Sequence, residues 1–517
     1  MMLPLLFLLP ATAGLLLLAL GDRVSRVAAT RLAIAVLVAD MAAAFYVFEG
    51  NPAEFQAPWI PSLGASFHLV GDPLAAVLVL LTLALGILAA GIAGGEIVRR
   101  PATYQGLLLL TAAAMVAGFL AADLFLFFVC FEAMLLPAVA LLIGWGRGDG
   151  KAAALRFFIF TQAGGLAMMV SIIALFFAHG AATGNYTLDY PQLLQNPLAG
   201  KTAFWIMLGF VAAFAIKLPL FPLHGWQPKT YQAAPASLAF LLAGAMAKTG
   251  AYGLLRFAIP LFPEGARQIA PWMIGLGVAG MIYGALVAYG AQDLRRLLAY
   301  SSMSHLGLLV AGAYSLRALG YQGAVLQMVA HGLSVAGLFL LVYLIEEHAG
   351  SSELGPLGGL WQNAPRLGAL AILFVMASLG LPGLANFAGE ILLLLGIYAA
   401  WPAIAVAAVL APVVSALYSL RLAQRVFLGP KAQDGPTLRD LYGWRLVAAS
   451  LLAVALVWLG FQPNAVLRAV PVPAAFAAAP VPAAAAPAAA PAGVGAPTPA
   501  DASTSQDSKV PDQEKTQ

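Results

Sequence analysis

The chain has 517 residues, of which 62% are hydrophobic and 9% charged. An ordinary soluble domain carries about 25% charged residues, so a water-exposed globule is excluded and a membrane is the natural solvent. The net charge of +4 suggests no nucleic-acid partner, and the single Cys130 can neither close an internal disulfide nor alone ligate an iron–sulfur cluster.

A spanning helix takes roughly 20 apolar residues plus a short connection, which leaves room for about 14 crossings. Apolar stretches fall near residues 3–21, 32–48, 73–95, 105–121, 123–143, 155–178, 203–224, 235–258, 272–291, 295–314, 320–345, 367–397, 402–427 and 445–462. They predict an all-α polytopic membrane protein with about 14 transmembrane helices. The first stretch lacks a basic leader and a small-residue cleavage site, so it reads as a retained helix. Seventeen of the 26 lysines and arginines, from Arg23 to Arg445, fall in one set of alternate connections and five in the other. Short basic loops stay cytoplasmic, which places both termini on the non-cytoplasmic side of the membrane. From Val470 onward the chain turns to Ala/Pro repeats and then polar residues. Closely spaced prolines bar a helix and nothing there can bury a core, so a disordered or extended tail over 470–517 is expected.

Ionisable groups deep in apolar stretches are the informative residues. Glu132 lies about 13 Å into its segment at 1.5 Å per residue, close to the bilayer midplane. Lys217, Lys248, His305, His331 and Glu390 are similarly deep. Charged groups at that depth cost at least about 2.5–3.5 kcal/mol each, so the four Glu and Lys side chains must face protein or water. Two host segments are also broken. Lys217 precedes Pro219 and Pro222, and Glu390 follows Pro382-Gly383. Freed backbone groups are tolerated at membrane depth only along a polar cavity, and interrupted helices in matching positions mark inverted-repeat transporters. The breaks occupy the seventh and twelfth stretches, which implies two inverted five-helix repeats, helices 4–8 and 9–13. Boundaries follow at 1–100, 101–260, 261–430, 431–469 and 470–517.

A lysine beside a carboxylate can switch a proton, because dehydration lowers the lysine pKa and a carboxylate at about 4 Å raises it by about three units. In this reading Glu132 modulates Lys217; Lys248, His305 and His331 relay through water; and Glu390 is the terminal acceptor. The plainer alternative for each is a packed or helix-bracing side chain, and it weighs most for the histidines. His224 reads as packing, while His68, His179 and His348 read as solvated. Asp123 reads as a helix cap, and Tyr283 and Tyr300 as packing residues. Gly275-Leu-Gly277-Val-Ala-Gly280 spells a dinucleotide fingerprint but lacks the preceding strand and the acid beyond it. Close helix packing through Gly280 and Gly284 explains it better. The six histidines show no paired metal-ligand spacing.

Several of these residues lie in recognisable motifs: Phe131-Glu132-Ala133-Met134-Leu135-Leu136-Pro137, Lys217-Leu218-Pro219-Leu220-Phe221-Pro222-Leu223-His224-Gly225-Trp226, Ala247-Lys248-Thr249-Gly250-Ala251-Tyr252, the run from Asp293 to His305, Gln327 to Ser334, and Gly389-Glu390. In order, and over residues 70–465, they resemble the antiporter-like membrane-arm subunits of bacterial respiratory complex I, the NADH:quinone oxidoreductase. The resemblance implies a fourteen-helix, proton-translocating subunit with no cofactor of its own. It places FMN, iron–sulfur clusters, NADH and quinone chemistry in partner subunits. It also makes Glu132 and Lys217 the ion pair, Lys248 the central relay and Glu390 the terminal residue. Related alternatives are a subunit of a Mrp-type cation/proton antiporter or of a membrane-bound hydrogenase; the alternative from another class is an inert scaffold. After Trp226 the family's acid and histidine are missing, with Lys229 and Tyr231 nearby, which calls proton uptake through that loop into question.

Overall fold

A computed structural model describes residues 2–49, 53–430 and 438–477. Helices α1 (Leu5–Leu20), α2 (Arg26–Phe48), α3 (Pro73–Glu96) and α4 (Pro101–Leu120) precede α5 (Leu124–Ala133) and α6 (Leu135–Trp145), which join at a turn on Met134. Then come α7 (Gly150–Thr183), the short α8 (Tyr190–Gln195), α9 (Gly200–Lys217) and α10 (Gln227–Ala233). The segments α11 (Ala236–Leu241), α12 (Ala247–Gly253) and α13 (Ile259–Leu261) form one rod interrupted by π-turns at Leu242–Met246 and Leu254–Ala258. After α14 (Pro263–Gly290), α15 (Leu294–Ala313) and α16 (Ala318–Ala349) come α17 (Leu360–Asn363), α18 (Pro365–Leu379), α19 (Ala385–Ala400), α20 (Pro402–Leu422) and α21 (Gly443–Phe461). The described chain ends with α22 (Asn464–Leu467) and α23 (Ala474–Ala477).

Among the described residues, twelve helices are long and apolar enough to cross a membrane. The two remaining expected stretches correspond to α15 and to the pair α18/α19. α15 carries Arg295, Arg296, three serines and His305 within 20 residues. It tolerates them because it is enclosed by other helices and nearly all of it is buried, so protein rather than lipid is its solvent. α18 and α19 are 15 and 16 residues long because Pro382 and the left-handed Gly380 and Gly383 part them.

The Gly275–Gly284 motif serves helix packing. A Cβ at Gly277 would stand 2.6 Å from the Gly307 carbonyl oxygen, and one at Gly284 would stand 2.8 Å from that of Tyr300. α14 and α15 therefore touch backbone to backbone. Gly277→Val is expected to cost about 1–3 kcal/mol by prising these helices apart. Gly275, with nothing within 4 Å of its Cβ position, should accept valine freely. Thermal unfolding of the two variants side by side makes the comparison.

A β-hairpin, β1 (Ala53–Ile60) and β2 (Ala65–Gly71), lies between α2 and α3 and was not anticipated. Its hydropathy signal is short beside the helical runs, and Gly64 at φ +58° makes the turn. Two histidines expected to be solvated are buried. His68 is buried, with Nδ1 2.5 Å from Asp189 Oδ2 and Nε2 2.8 Å from Glu54 Oε1. His179 is buried too, with Nδ1 2.9 Å from the Asn185 carbonyl. Asp123 caps α5 as expected, accepting from the Phe125 and Leu126 amides, and it also accepts from Ser66 N.

The Asp189 hydrogen bond, with Glu54 on the other nitrogen, raises the His68 pKa above its ordinary 6.5 against the opposing effect of burial. A raised histidine pKa gives stability that is complete below about pH 6.5 and lost as pH climbs through the folded value. Amide exchange over residues 53–71, corrected for intrinsic rate, is therefore expected to speed up on alkalinisation. The step should be absent in His68→Gln.

The expected tail begins with packed structure. Val470 and Phe476 are buried, and the Phe476 ring lies 4.7 Å from that of Tyr321. An aromatic among Ala and Pro supplies the apolar area that the rest of the segment lacks. The remainder of the tail, from residue 478, lies outside the described residues.

Candidate functional site

The two broken segments and the interrupted rod carry the deep charges. α9 stops at Lys217 because Pro219 and Pro222 cannot donate to its last carbonyls. One of these, Ile216 O, is taken instead by the Trp226 indole at 2.8 Å. Lys217 is buried, with Nζ 4.8 Å from the centroid of Phe131. Among the described residues no carboxylate lies within 4.0 Å of it, so Glu132 and Lys217 do not make a direct ion pair. Glu132, on α5, is half-buried and directs its carboxylate at α7, where a Cβ on Gly165 would fall 1.9 Å from Oε1. Glycine at 165 leaves the carboxylate its space.

Lys248 follows the first π-turn. Lys248 Nζ reaches back to that π-turn and donates to Ala243 O at 2.7 Å. It also lies 2.8 Å from His331 Nδ1 on α16. Among the described residues His331 Nε2 has no hydrogen-bond partner, and the ring stands 5.6 Å from that of His305, centroid to centroid. His305 Nδ1 is 3.0 Å from Glu390 Oε1. Glu390 projects from the second turn of α19 under Gly380, where a Cβ would come within 2.6 Å of Oε2. Lys248, His331, His305 and Glu390 thus form one buried file across four helices, with a ring-to-ring gap in the middle. Lys217 and Glu132 stand apart from that file, and no hydrogen bond connects the two groups among the described residues.

The other histidine behaves as expected of packing. His224 stacks on Phe221 at 5.7 Å and faces Tyr283 at 5.3 Å and Tyr300 at 6.3 Å. Of the residues where the loop departs from the family pattern, Tyr231 is buried against Phe339. Lys229 is exposed and, with Arg147 and Arg156, lines a cavity of about 390 Å³. Those three cations outnumber the one acid on its wall, Asp149, so the lining is net positive. No group of three His, Cys, Asp or Glu side chains is placed to hold a metal among the described residues.

Sequence reasoning passed over several buried polar residues. Asp40 is fully buried in α2, and among the described residues neither carboxylate oxygen has a hydrogen-bond partner; an acid in the middle of the second apolar stretch was the available signal. Glu346, near the end of α16, is gripped by Arg295 and Arg147, and Glu96 by Arg147. Their position at stretch ends made them look like loop charges. Gln327 Nε2 lies 3.5 Å from Glu390 Oε1, and Ser378 Oγ is 3.3 Å from His305 Nε2. Single neutral side chains in an apolar run give no such warning.

A family model described as NADH:quinone oxidoreductase/Mrp antiporter, TM matches residues 121–415, which takes in every residue of the file. The chain is 42% identical to NADH-quinone oxidoreductase subunit M of Escherichia coli strain K12 over 422 residues, 80% of this chain and 83% of the relative. A chain of respiratory complex I from Thermus thermophilus with bound NADH superposes with a TM-score of 0.83 at 36% identity, over 90% of this chain and 97% of that one. A chain of the Mrp complex from Dietzia sp. DQ12-45-1b gives 0.79 at 26% identity, over 91% of this chain and 51% of that one.

Proposed function

The chain belongs to the NADH:quinone oxidoreductase/Mrp antiporter family of transmembrane subunits, and from that premise we propose that it translocates protons within the membrane arm of a bacterial NADH:quinone oxidoreductase. Electrons pass from NADH to quinone in partner subunits, which hold the FMN and iron–sulfur clusters. This chain moves protons in response. The observation that carries the reading is the buried file from Lys248 through His331 and His305 to Glu390. An array of that kind, deep in a lipid-facing bundle, is costly to keep and suits proton transfer.

In this mechanism Glu132 sets the charge state of Lys217 at a distance, through the field and not through contact. When the carboxylate swings toward Lys217, the ammonium is favoured; when it swings away, the proton is released toward Lys248 through intervening water. Lys248 passes it to His331 Nδ1, and His305 hands it on to Glu390. The bundle makes fourteen crossings as two inverted repeats, helices 4–8 and 9–13, and both termini lie outside the cytoplasm. The breaks after Lys217 and before Glu390 support the repeat assignment. The missing acid and histidine after Trp226 imply that protons do not enter through that loop.

The test is reconstitution of the whole complex into liposomes. Glu132→Ala and Lys217→Ala are expected to depress NADH-driven acidification of the lumen while NADH oxidation by an artificial acceptor continues. Unimpaired pumping in both would leave the chain a scaffold. The likeness to the Mrp complex favours cation/proton antiport as the second reading, and a proton gradient that depends on sodium would select it.

A further inference from the structure

A run of hydroxyl groups leaves His305 and leads away from the file. His305 Nε2 is 3.3 Å from Ser378 Oγ on α18, Ser378 Oγ is 3.4 Å from Ser301 Oγ on α15, and Ser301 Oγ is 2.8 Å from Tyr418 OH on α20. All three hydroxyl residues are buried. Ser301 precedes His305 by four residues and therefore lies one turn along the same face of α15, toward the end that carries Arg295 and Arg296. Tyr418 sits one turn before Arg421 on α20.

Small cavities stand at both ends of this run. At the inner end a space of about 10 Å³ is lined by Ser304, His305, Glu390 and the buried Ser415. That volume is at the lower limit for one water, and the walls offer it several polar groups. At the outer end a second space of about 10 Å³ is lined by Tyr289, Tyr418, Arg421 and Arg425. Arg421 and Arg425 are both half-buried there. The hydroxyls thus connect a basic end of the bundle with the carboxylate at its centre.

We infer that Tyr418, Ser301 and Ser378 form a proton-conducting branch between the basic end of the bundle and the His305–Glu390 pair. The inference rests on the proton-relay reading above. A hydroxyl can take a proton on its lone pair and give up its own in the same event. One proton arriving at Tyr418 OH therefore ends as one proton delivered by Ser378 to His305 Nε2. His305 releases the proton on Nδ1 to Glu390 Oε1, and the ring and hydroxyls turn back to reset. No oxygen keeps a net charge, which suits a low-dielectric interior. The branch bypasses the Trp226–Tyr231 loop, where the expected acid and histidine are missing. It gives the second half of the bundle its own access to the basic side.

Three substitutions in the intact, reconstituted complex test this. Tyr418→Phe and Ser301→Ala each remove one oxygen and little else, and Ser301→Thr keeps the hydroxyl. Loss of a positioned proton carrier is expected to slow NADH-driven translocation on the order of tenfold or more in the first two. Ser301→Thr should stay near the unmodified rate, and all three should assemble normally and melt at an unchanged temperature. Glu390→Gln is measured beside them. If it stops pumping while Tyr418→Phe and Ser301→Ala pump normally, the branch is wrong and the relay stands. If Glu390→Gln also pumps normally, the relay itself is wrong. A Ser301→Thr variant as slow as Ser301→Ala would mean that packing, not the hydroxyl, matters, and would overturn the branch as well.

Discussion

Lys248→Met is expected to lower NADH-driven proton translocation on the order of tenfold or more while leaving the assembled subunit as abundant as before. Lys248 is buried, and among the described residues its ammonium meets only the Ala243 carbonyl and His331 Nδ1, with no carboxylate within 4.0 Å. A buried cation without a counter-ion is a burden on the fold, and methionine of similar length fills the same space without it. The Ala243 carbonyl and His331 Nδ1 each lose a partner, at about 1–3 kcal/mol apiece, which offsets that relief. Stability should therefore change little. Only the capacity to hold and release a proton disappears. Lys248→Arg separates charge from proton transfer, because guanidinium stays protonated under all working conditions. It should fail as a pump although it keeps the positive charge. The measurements are dye-reported acidification in proteoliposomes and native-gel quantitation of the complex. A scaffold would show the reverse pattern, with Met harmless to pumping and Arg able to stand in for Lys.

Much of this site could be read from residue type and position alone, and the reason is energetic. A charge at bilayer depth must be explained, so Glu132, Lys217, Lys248 and Glu390 announce themselves in any apolar run. Pro219 with Pro222, and Pro382 with Gly383, show the helix breaks just as directly, since each proline removes a donor at a fixed place. Partner identity is different. That Lys248 meets His331, and His305 meets Glu390, depends on which helix faces which, and residues 83 or 85 positions apart carry no local sign of it. The separation of Glu132 from Lys217 escaped for the same reason: sequence motif suggests a pair but not its distance. Serine and tyrosine hydroxyls such as Ser378 and Tyr418 are cheap enough in a helix to pass as filler. The hairpin over 53–71 was hidden because strands of eight and seven residues are short against spans of about twenty, and its buried His68 looked like a loop residue.

Glu346→Ala is expected to destabilise the bundle by about 3–5 kcal/mol, because it strips a buried guanidinium of its counter-ion. Glu346 Oε1 lies 2.5 Å from Arg295 Nε and Oε2 lies 2.7 Å from Arg295 Nη2, a bidentate fork. Oε2 also accepts from Arg147 Nη1 at 2.5 Å. Arg295 is only 2% exposed, and its remaining nitrogen is spent on the Ala234 and Tyr231 carbonyls at 2.6 and 3.1 Å. With Glu346 gone, the charge has nowhere to turn. The damage would not stay local. Arg147 also holds Glu96, and Glu96 accepts from Ala236 N at 2.7 Å and from Ser237 N at 3.1 Å. Those amides open the rod that carries Lys248, so a slackened Arg147 loosens the anchor that sets the height of Lys248 in the membrane. Removing both charges together, as Arg295→Met with Glu346→Leu, leaves no buried guanidinium without its counter-ion and should recover part of the stability, the Ala234 and Tyr231 carbonyls still losing their donor. Thermal unfolding of the purified complex reads the effect. A single variant no worse than the double one would mean that water reaches Arg295 and that the clamp carries no strain-bearing role in positioning the Lys248 helix.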